Sequence, residues 1–153
     1  MIRRAQAADA PELLSLMRGL ARFEGYDDRF AVTVEALIER GFSPHRPPEF
    51  TAWVAELDDA LVGYAVVYVI PYTFDLRPTV VLKELFVDRA ARGRNFGRGL
   101  MNAVIEHAHS LNARLIRWQV LPENEAAKRF YRQHDAAVDA DWENWFIDLS
   151  TTG

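Results

Sequence analysis

The 153-residue sequence contains no cysteine. The chain therefore cannot form a disulfide framework, a cysteine-ligated zinc site or a thiol nucleophile. No apolar run reaches the roughly 18 residues that span a membrane, and the first residues, Met-Ile-Arg-Arg-Ala, lack the apolar core of a signal peptide. We therefore expect a cytoplasmic protein without a membrane partner.

An excess of positive charge is also missing. The sequence has 18 Lys and Arg against 22 Asp and Glu, a formal net charge of −4, which argues against nucleic acid as a partner. The four histidines show no ligand spacing with carboxylates, which predicts no metal site: His45, His107, His109 and His134.

The sequence does contain enough apolar residues for a core. Half of the residues are hydrophobic and 12% are aromatic, and a length of 153 residues suits one domain better than two. Because no internal repeat, linker or low-complexity segment interrupts it, we expect a single domain over residues 1–153.

Hydrophobic periodicity predicts a mixed α/β fold. The expected strands are Ile2–Gln6, Phe50–Leu57, Leu61–Ile70, Thr79–Val87, Leu115–Val120, Val138–Ala140 and Trp142–Leu149. The expected helices run from a cap at Asp9 to Glu24, from a cap at Thr33 to a stop at Gly41, from Gly97 to about Asn112 and from Asn124 to about His134. This order predicts a mixed sheet with helices on both faces.

The stretch Val80–Leu100 carries the clearest functional signal. An apolar strand pattern passes into a loop rich in Gly and Arg, which then opens a helical pattern. Helix starts bind anions through unpaired N–H groups, and glycine allows a ligand to approach closely. An ordinary strand–helix turn is the structural alternative, and the loop is neither a Walker loop nor a dinucleotide fingerprint. Four arginines favour a polyphosphate ligand: Arg89, Arg92, Arg94 and Arg98.

Two segments together resemble the GNAT acetyltransferase superfamily. They are Val87-x-x-x-x-Arg92-Gly-x-x-x-Gly97-x-Gly99-Leu100 and Asn124-(six residues)-Tyr131. The resemblance implies a mostly antiparallel, twisted sheet in which strands four and five splay apart, with helices on both faces. It also implies that acetyl-coenzyme A lies in the gap, with its pyrophosphate on the turn after strand four.

The loop can be aligned with the family pattern in two registers. The literal pattern Arg-x-x-Gly-x-Gly fits Arg94, Gly97 and Gly99, whereas counting from the strand places Asn95 where glycine is usual. We favour the second register, because Asn tolerates positive φ better than other non-Gly residues. The residues that the resemblance assigns to the coenzyme are Phe86, Val87, Arg92, Gly93, Arg94, Asn95, Phe96, Gly97, Arg98, Asn124 and Tyr131.

A narrower resemblance, over nearly the whole chain, is to the spermidine/spermine acetyltransferase group. It rests on Leu20–Glu24, Thr33–Phe42, Leu82–Val87, Asn124–Tyr131 and Trp142–Asp148. The group implies a homodimer that acetylates a small-molecule amine, either a polyamine or a lysine-like amine. In the absence of a thiol nucleophile, we expect direct attack in a ternary complex rather than an acetyl-cysteine route.

The expected chemistry needs a proton acceptor and a proton donor. An alkylammonium with a pKa near ~10 must lose a proton before it attacks a thioester, and N–H groups around Phe86–Asp88 can polarise the thioester carbonyl. Tyr131 resembles the family's tyrosine that protonates the leaving thiolate. Glu84 is the candidate base; a water chain, with Glu84 as a plain surface residue, is the alternative.

Lys83 departs from the group, which often has two adjacent acidic residues here. If strand alternation points Lys83 inward, polyamines are disfavoured; if it points away, the change matters little. At the substrate end we expect Glu24, Asp27 and Asp28, although acidic loops are often only solvated. We also expect Trp142 there, for which a dimer contact or core packing is the alternative.

Two other functions follow from the same residues. A non-catalytic module could keep the coenzyme site without turnover, and Lys83 is its best support. A nucleic-acid binder could use the arginine cluster, but the acidic net charge opposes this.

Overall fold

Five strands form one sheet in the order β1-β2-β3-β4-β5 in the computed structural model, which describes residues 1–150. All neighbouring strands pair antiparallel except β4 and β5, which are parallel. This confirms the predicted mixed, mostly antiparallel sheet. The strands are β1 (Ile2–Arg4), β2 (Thr51–Leu57), β3 (Ala60–Ile70), β4 (Thr79–Val87) and β5 (Leu115–Arg117).

Within residues 1–150, four α-helices join or follow these strands. They are α1 (Ala10–Glu24), α2 (Val34–Leu37), α3 (Phe96–Ser110) and α4 (Glu125–Arg132). The Thr33 hydroxyl accepts a hydrogen bond from Ala36 N at 3.1 Å and caps α2 as predicted. At the end of α1, Gly25 takes the left-handed conformation (φ 83°) that ends a helix.

Apolar side chains cover both faces of the sheet. On one face, α1 buries residues such as Leu13 and Met17 in a cluster with Val54 and Tyr64. On the other face, the Trp53 ring lies 5.0 Å from His107 of α3, and Leu100, Met101 and Val104 of the same helix are buried. Helices therefore lie on both faces, as the sequence predicts.

β4 and β5 separate soon after they begin to pair. Their parallel register runs only from Thr79↔Leu115 to Val81↔Arg117, whereas β4 continues to Val87 and stays paired with β3 to that residue. Within the described residues, the β5-facing edge of β4 is therefore unpaired beyond Val81. This is the gap between strands four and five that the resemblance predicts.

The expected final strand pair is wrong for the described part of the chain. Within residues 136–150 no strand is present, and the large side chains of Trp142, Trp145, Phe146 and Ile147 are largely exposed. An alternating apolar pattern favours a strand, but a strand forms only where a neighbouring edge satisfies its backbone groups. The fifth strand is also shorter than predicted, ending at Arg117 rather than Val120.

Two predicted helix signals differ in detail. Asp9 does not cap α1 with its side chain; its carboxylate instead accepts hydrogen bonds from Arg3 and from Gln6 N. Gly41 does not stop the second helix, because the chain continues from α2 through a π-helical turn, Ile38–Phe42.

The chain divides into two compact units, Met1–Trp118 and Gln119–Gly153, of which the second is described to Ser150. The first unit contains the whole sheet with α1, α2 and α3, and the second contains α4. A single domain over residues 1–153 stays a prediction. None of the helices in residues 1–150 is long and apolar enough to cross a membrane.

Candidate functional site

The loop after β4 has the backbone that an anion site needs. Gly93 and Asn95 both have positive φ, 82° and 66°, so Asn95 takes the conformation expected of a residue in a glycine's place. α3 then begins at Phe96, and Gly99 N already donates to Asn95 O at 3.0 Å. The N–H groups before Gly99 are those that a helix leaves without internal acceptors. They can bind a phosphate, helped by the helix dipole.

Arg92 links this loop to the end of β4. Its Nε donates to Val87 O at 3.0 Å, and its guanidinium carbon lies 5.6 Å from the centroid of the Phe23 ring and 5.9 Å from that of Phe86. Arg92 is nevertheless exposed, so its charge remains accessible to an anion. The side chain therefore supports the loop as well as supplying positive charge.

The hydrogen-bond pattern selects Val87 as the outward-facing donor of β4. N–H groups along an antiparallel strand point alternately toward and away from the partner strand. Asp88 N donates to Val62 O at 2.7 Å, so Asp88 and, by alternation, Phe86 face β3. Val87 faces the edge left open by β5, where its own carbonyl meets Arg92. Of the backbone N–H groups expected at Phe86–Asp88, that of Val87 is therefore the one that points to the open edge.

Glu84 lies on the α1 face of the sheet and is held by a buried tyrosine. The hydroxyl of Tyr64, which is fully buried in β3, donates to Glu84 Oε2 at 2.6 Å. Phe86, two residues along β4, is on the same face, with its ring 6.3 Å from that of Tyr64. Glu84 is half-buried, which suits a carboxylate that both contacts the protein and receives a proton from a ligand.

Glu24 and Tyr26 form the side of this site that comes from the end of α1. Partial burial of the Glu24 carboxyl group and the charge of Glu84 raise the pKa of Glu24, and the positive charge of Lys83 opposes the rise. Burial, Glu84 and Glu24 likewise raise the pKa of Tyr26. Glu24, Tyr26, Lys83 and Glu84 are therefore close enough to influence one another electrostatically.

Lys83 occupies a β-bulge. Val66 pairs with Glu84 and Val67 with Leu82, so Lys83 is an extra residue on β4. Side chains at a bulge do not alternate strictly between the two faces, so alternation along β4 cannot assign a direction to Lys83. The side chain is exposed, and its charge acts on Glu24.

Other predicted residues lie apart from this cluster or in the second unit. Asp27 and Asp28 are exposed in a 3-10 turn, with Asp28 4.0 Å from Arg29. Trp142 is exposed. Their contact with substrate stays a prediction, as does the coenzyme role of Arg94 and Arg98, which are exposed beside the loop and at the start of α3.

In the second unit, Asn124 begins α4. Its side-chain oxygen accepts a hydrogen bond from Ala127 N at 3.1 Å, and Glu125 follows in the first turn. Tyr131 lies in the last turn, half-buried, with its ring 5.5 Å from Phe130. Asp135 takes the left-handed conformation (φ 60°) just after the helix. Asn124 thus has a structural role, and the catalytic role of Tyr131 stays a prediction.

Two members of the site, Tyr64 and Tyr26, were missed in the sequence. A signal for Tyr64 existed: a tyrosine inside an apolar strand is buried, and a buried hydroxyl needs a partner. Tyr26 gave no comparable signal, because it stands in a polar connector. Among residues 1–150, no group of three or more His, Asp or Glu side chains is arranged to hold a metal ion.

Comparison with known proteins agrees with this geometry. The acetyltransferase (GNAT) family model matches residues 13–135. Thialysine N-epsilon-acetyltransferase of Mus musculus is 30% identical over 152 residues, covering 94% of this chain and 88% of that protein. Spermidine/spermine N(1)-acetyltransferase-like protein 1 of Homo sapiens is 26% identical over 95% of this chain, which spans 22% of that longer protein.

A solved structure shares the fold. An aminoglycoside acetyltransferase from an uncultured soil metagenomic sample, in complex with sisomicin, aligns with a TM-score of 0.81 over 97% of this chain and 95% of that chain. The sequence identity is 19%, so this likeness concerns the fold alone.

Proposed function

The chain belongs to the acetyltransferase (GNAT) family, and from this we propose that it transfers an acetyl group from acetyl-coenzyme A to a primary amine of a small cationic substrate. The observation that carries the proposal is the unpaired edge of β4 beyond Val81, which leads into the N-terminal loop of α3. An open row of strand donors followed by a helix N-terminus fits an elongated ligand with a carbonyl at one end and phosphates at the other.

The residues of the loop would hold the coenzyme. Phe96, Gly97 and Arg98 contribute N–H groups of the first turn of α3, and Arg92 and Arg94 contribute positive charge. When bound, acetyl-coenzyme A supplies an activated acetyl group as a thioester. Val87 donates its N–H to the thioester carbonyl oxygen and stabilises the negative charge that develops there.

The acceptor amine would bind beside Glu84 and Glu24. Glu84 accepts a proton from the alkylammonium, and the freed nitrogen forms the new C–N bond as the C–S bond breaks in a ternary complex. Tyr131 donates its phenolic proton to the departing thiolate and regains one from the proton that the nitrogen releases as the amide forms. Similarity to thialysine acetyltransferases supports a lysine-like or diamine acceptor for this chain. A polyamine is a less favourable acceptor, because the positive charge of Lys83 acts on the Glu24 side of the site.

We also propose a cytoplasmic homodimer. The support for the dimer is a set of exposed large apolar side chains in each unit: Tyr72, Phe74 and Leu76, and Trp142, Trp145 and Phe146. Sedimentation velocity should show a dimer at micromolar concentration. A monomer over the same concentration range would contradict the proposal.

Release of free coenzyme A tests the enzymatic function. Purified protein with acetyl-coenzyme A should release coenzyme A in the presence of at least one amine from a panel of spermidine, putrescine, lysine, thialysine and an aminoglycoside. Binding of acetyl-coenzyme A without release in the presence of any amine would instead indicate a non-catalytic binding module.

Substitution of Tyr131 by Phe tests the proton donor. We expect kcat to fall at least about 100-fold, because general acid catalysis contributes roughly that much, while the Kd for acetyl-coenzyme A stays unchanged. Tyr68→Phe, at an exposed tyrosine of the first unit, is the matched control. An unchanged kcat in Tyr131→Phe would remove this residue from its role.

A further inference from the structure

A buried hydroxyl group lies directly behind the candidate base. Tyr64 is fully buried near the middle of β3, within the cluster that α1 forms with Val54 and Val66. Phenylalanine would fill the same apolar space, so packing alone does not require the hydroxyl. The hydroxyl has one specific partner, Glu84 Oε2, at 2.6 Å across the β3–β4 pair.

The short distance is that of a hydroxyl donating to a charged carboxylate, which is stronger and more directional than a bond between neutral groups. Tyr64 and Glu84 sit on adjacent strands, with Tyr64 paired to Phe86 and Glu84 paired to Val66. The donor is therefore fixed by the sheet itself rather than by a loop, and it can hold Glu84 in one rotamer before any ligand arrives.

We propose that Tyr64 is a positioning residue that holds Glu84 as the proton acceptor for the amine. This inference rests on the proposed function, because it assigns a role to Tyr64 only through the base role of Glu84. The Tyr64 hydroxyl occupies Oε2 and leaves Oε1 to face the ammonium group of the substrate.

Tyr64 can serve as a donor across the working range of pH. Burial and the adjacent Glu84 raise the pKa of Tyr64 far above its ordinary value, so the hydroxyl keeps its proton. The other charged or titratable groups around Glu84 are Lys83 on β4, Glu24 on α1 and Tyr26 just after α1.

Tyr64→Phe tests the proposal with a minimal change in volume. A hydrogen bond to a charged group is worth enough to change a rate by about 10- to 100-fold, and we expect kcat/KM for the amine to fall by that factor. The loss should fall on kcat rather than on the KM for the amine, because a misplaced carboxylate slows proton transfer without removing the binding site. The KM for acetyl-coenzyme A should not change. Tyr68→Phe, on the same strand but exposed, is the control and should behave as wild type.

Two substitutions of Glu84 distinguish positioning from core packing. Glu84→Asp keeps the carboxylate and the tyrosine but shortens the side chain, so it should reproduce the rate loss even if Tyr64→Phe folds poorly. In Glu84→Gln, adding Tyr64→Phe should cost less than about twofold, because residues that act as a unit are not additive.

Three results would overturn the positioning role in an active wild-type protein. They are a wild-type kcat for the amine in Tyr64→Phe, additive losses in the double variant, and a wild-type rate in Glu84→Asp. A wild-type protein that acetylates no amine would instead overturn the proposed function itself.

Discussion

Under the proposed function, Lys83 is the residue that we expect to affect the choice of amine most. It is the extra residue of the β4 bulge, next to Glu84, and its charge acts on Glu24. The resembled group often has a carboxylate here next to the one at the position of Glu84. In this chain the ammonium group of Lys83 takes the place of that additional carboxylate. A polyamine has only positive groups and meets repulsion from Lys83, whereas a lysine-like substrate also has a carboxylate that Lys83 can attract.

Reversing the charge at this position should therefore change the substrate preference. In Lys83→Glu we expect the ratio of kcat/KM for spermidine to that for lysine to rise about tenfold or more. Initial rates with each amine at fixed acetyl-coenzyme A give this ratio, and added salt should reduce the change because exposed charges are screened. Lys83→Arg is the control and should keep the wild-type ratio. If Lys83→Glu keeps it too, Lys83 does not face the substrate.

Asn95 holds a backbone conformation that few residues tolerate. Its φ of 66° is in the left-handed region, immediately before α3. Asn95→Ala should destabilise the protein by about 1 kcal/mol, the approximate cost of that conformation for a residue with a Cβ, whereas Asn95→Gly should be neutral or stabilising. Urea unfolding measures both, and Asn102→Ala, at an exposed position inside α3, is the matched control. Equal stability of Asn95→Ala and Asn95→Gly would contradict this.

At the scale of elements, the sequence is most informative where local rules and tertiary structure agree. The periodicity of Leu13–Leu20 and the apolar runs of β2, β3 and β4 each locate an element to within one or two residues. These features depend on neighbours in sequence, so the sequence contains the needed information.

Features that depend on a distant partner were not predictable in the same way. The bulge at Lys83 arises from the register of β4 against β3, and the Tyr64–Glu84 hydrogen bond joins residues 20 positions apart. The segment Trp142–Leu149 has the composition of a strand but is not one here. The conformation of Asn95 was predictable because the family resemblance supplied the register of the loop. The position of Lys83, where the resembled group often has a carboxylate, depends on the pairing of β4 with β3.

The packing of α3 on β1 gives a prediction at the same scale. Gly99, in the first turn of α3, is so close to β1 that an added Cβ would lie 2.7 Å from Ile2 Cγ1. Gly99→Ala should therefore lower the free energy of unfolding by about 1–3 kcal/mol, as overpacking does. In an Ile2→Ala background, where that atom is removed, the same substitution should cost much less. Chemical denaturation of the four proteins of the cycle measures the difference, and equal costs in both backgrounds would show that the contact does not limit the helix.

In the first unit, the ion-pair network at the β1 edge lies away from the candidate site. β1 is one edge strand, whereas the candidate site lies on β4 and in the loop that follows it. At the β1 edge, Arg3 donates to both Asp9 and Glu56, joining β1 to β2 and to the turn before α1. A change in this network should therefore alter unfolding without altering catalysis.

Asp9 makes that separation testable through pH. The hydrogen bonds from Arg3, and to a lesser extent that from Gln6 N, lower the pKa of Asp9 against the opposing effect of burial. A carboxyl whose pKa is lower in the folded state adds stability above its unfolded pKa, near ~3.9, and loses it as pH falls through the folded pKa. Asp9→Asn should therefore cost about 2 kcal/mol at pH 7, and the gap to wild type should shrink steadily below about pH 4.

Urea unfolding from pH 7 to pH 3 measures this gap, with Glu106→Gln, at an exposed carboxylate of α3, as the control that should show almost none. Coenzyme A release at pH 7 should be the same in Asp9→Asn as in wild type under conditions where both are folded. A gap that does not depend on pH would mean that Asp9 acts through packing rather than through its charge. A reduced rate would mean that the β1 edge and the β4 site are coupled through the sheet.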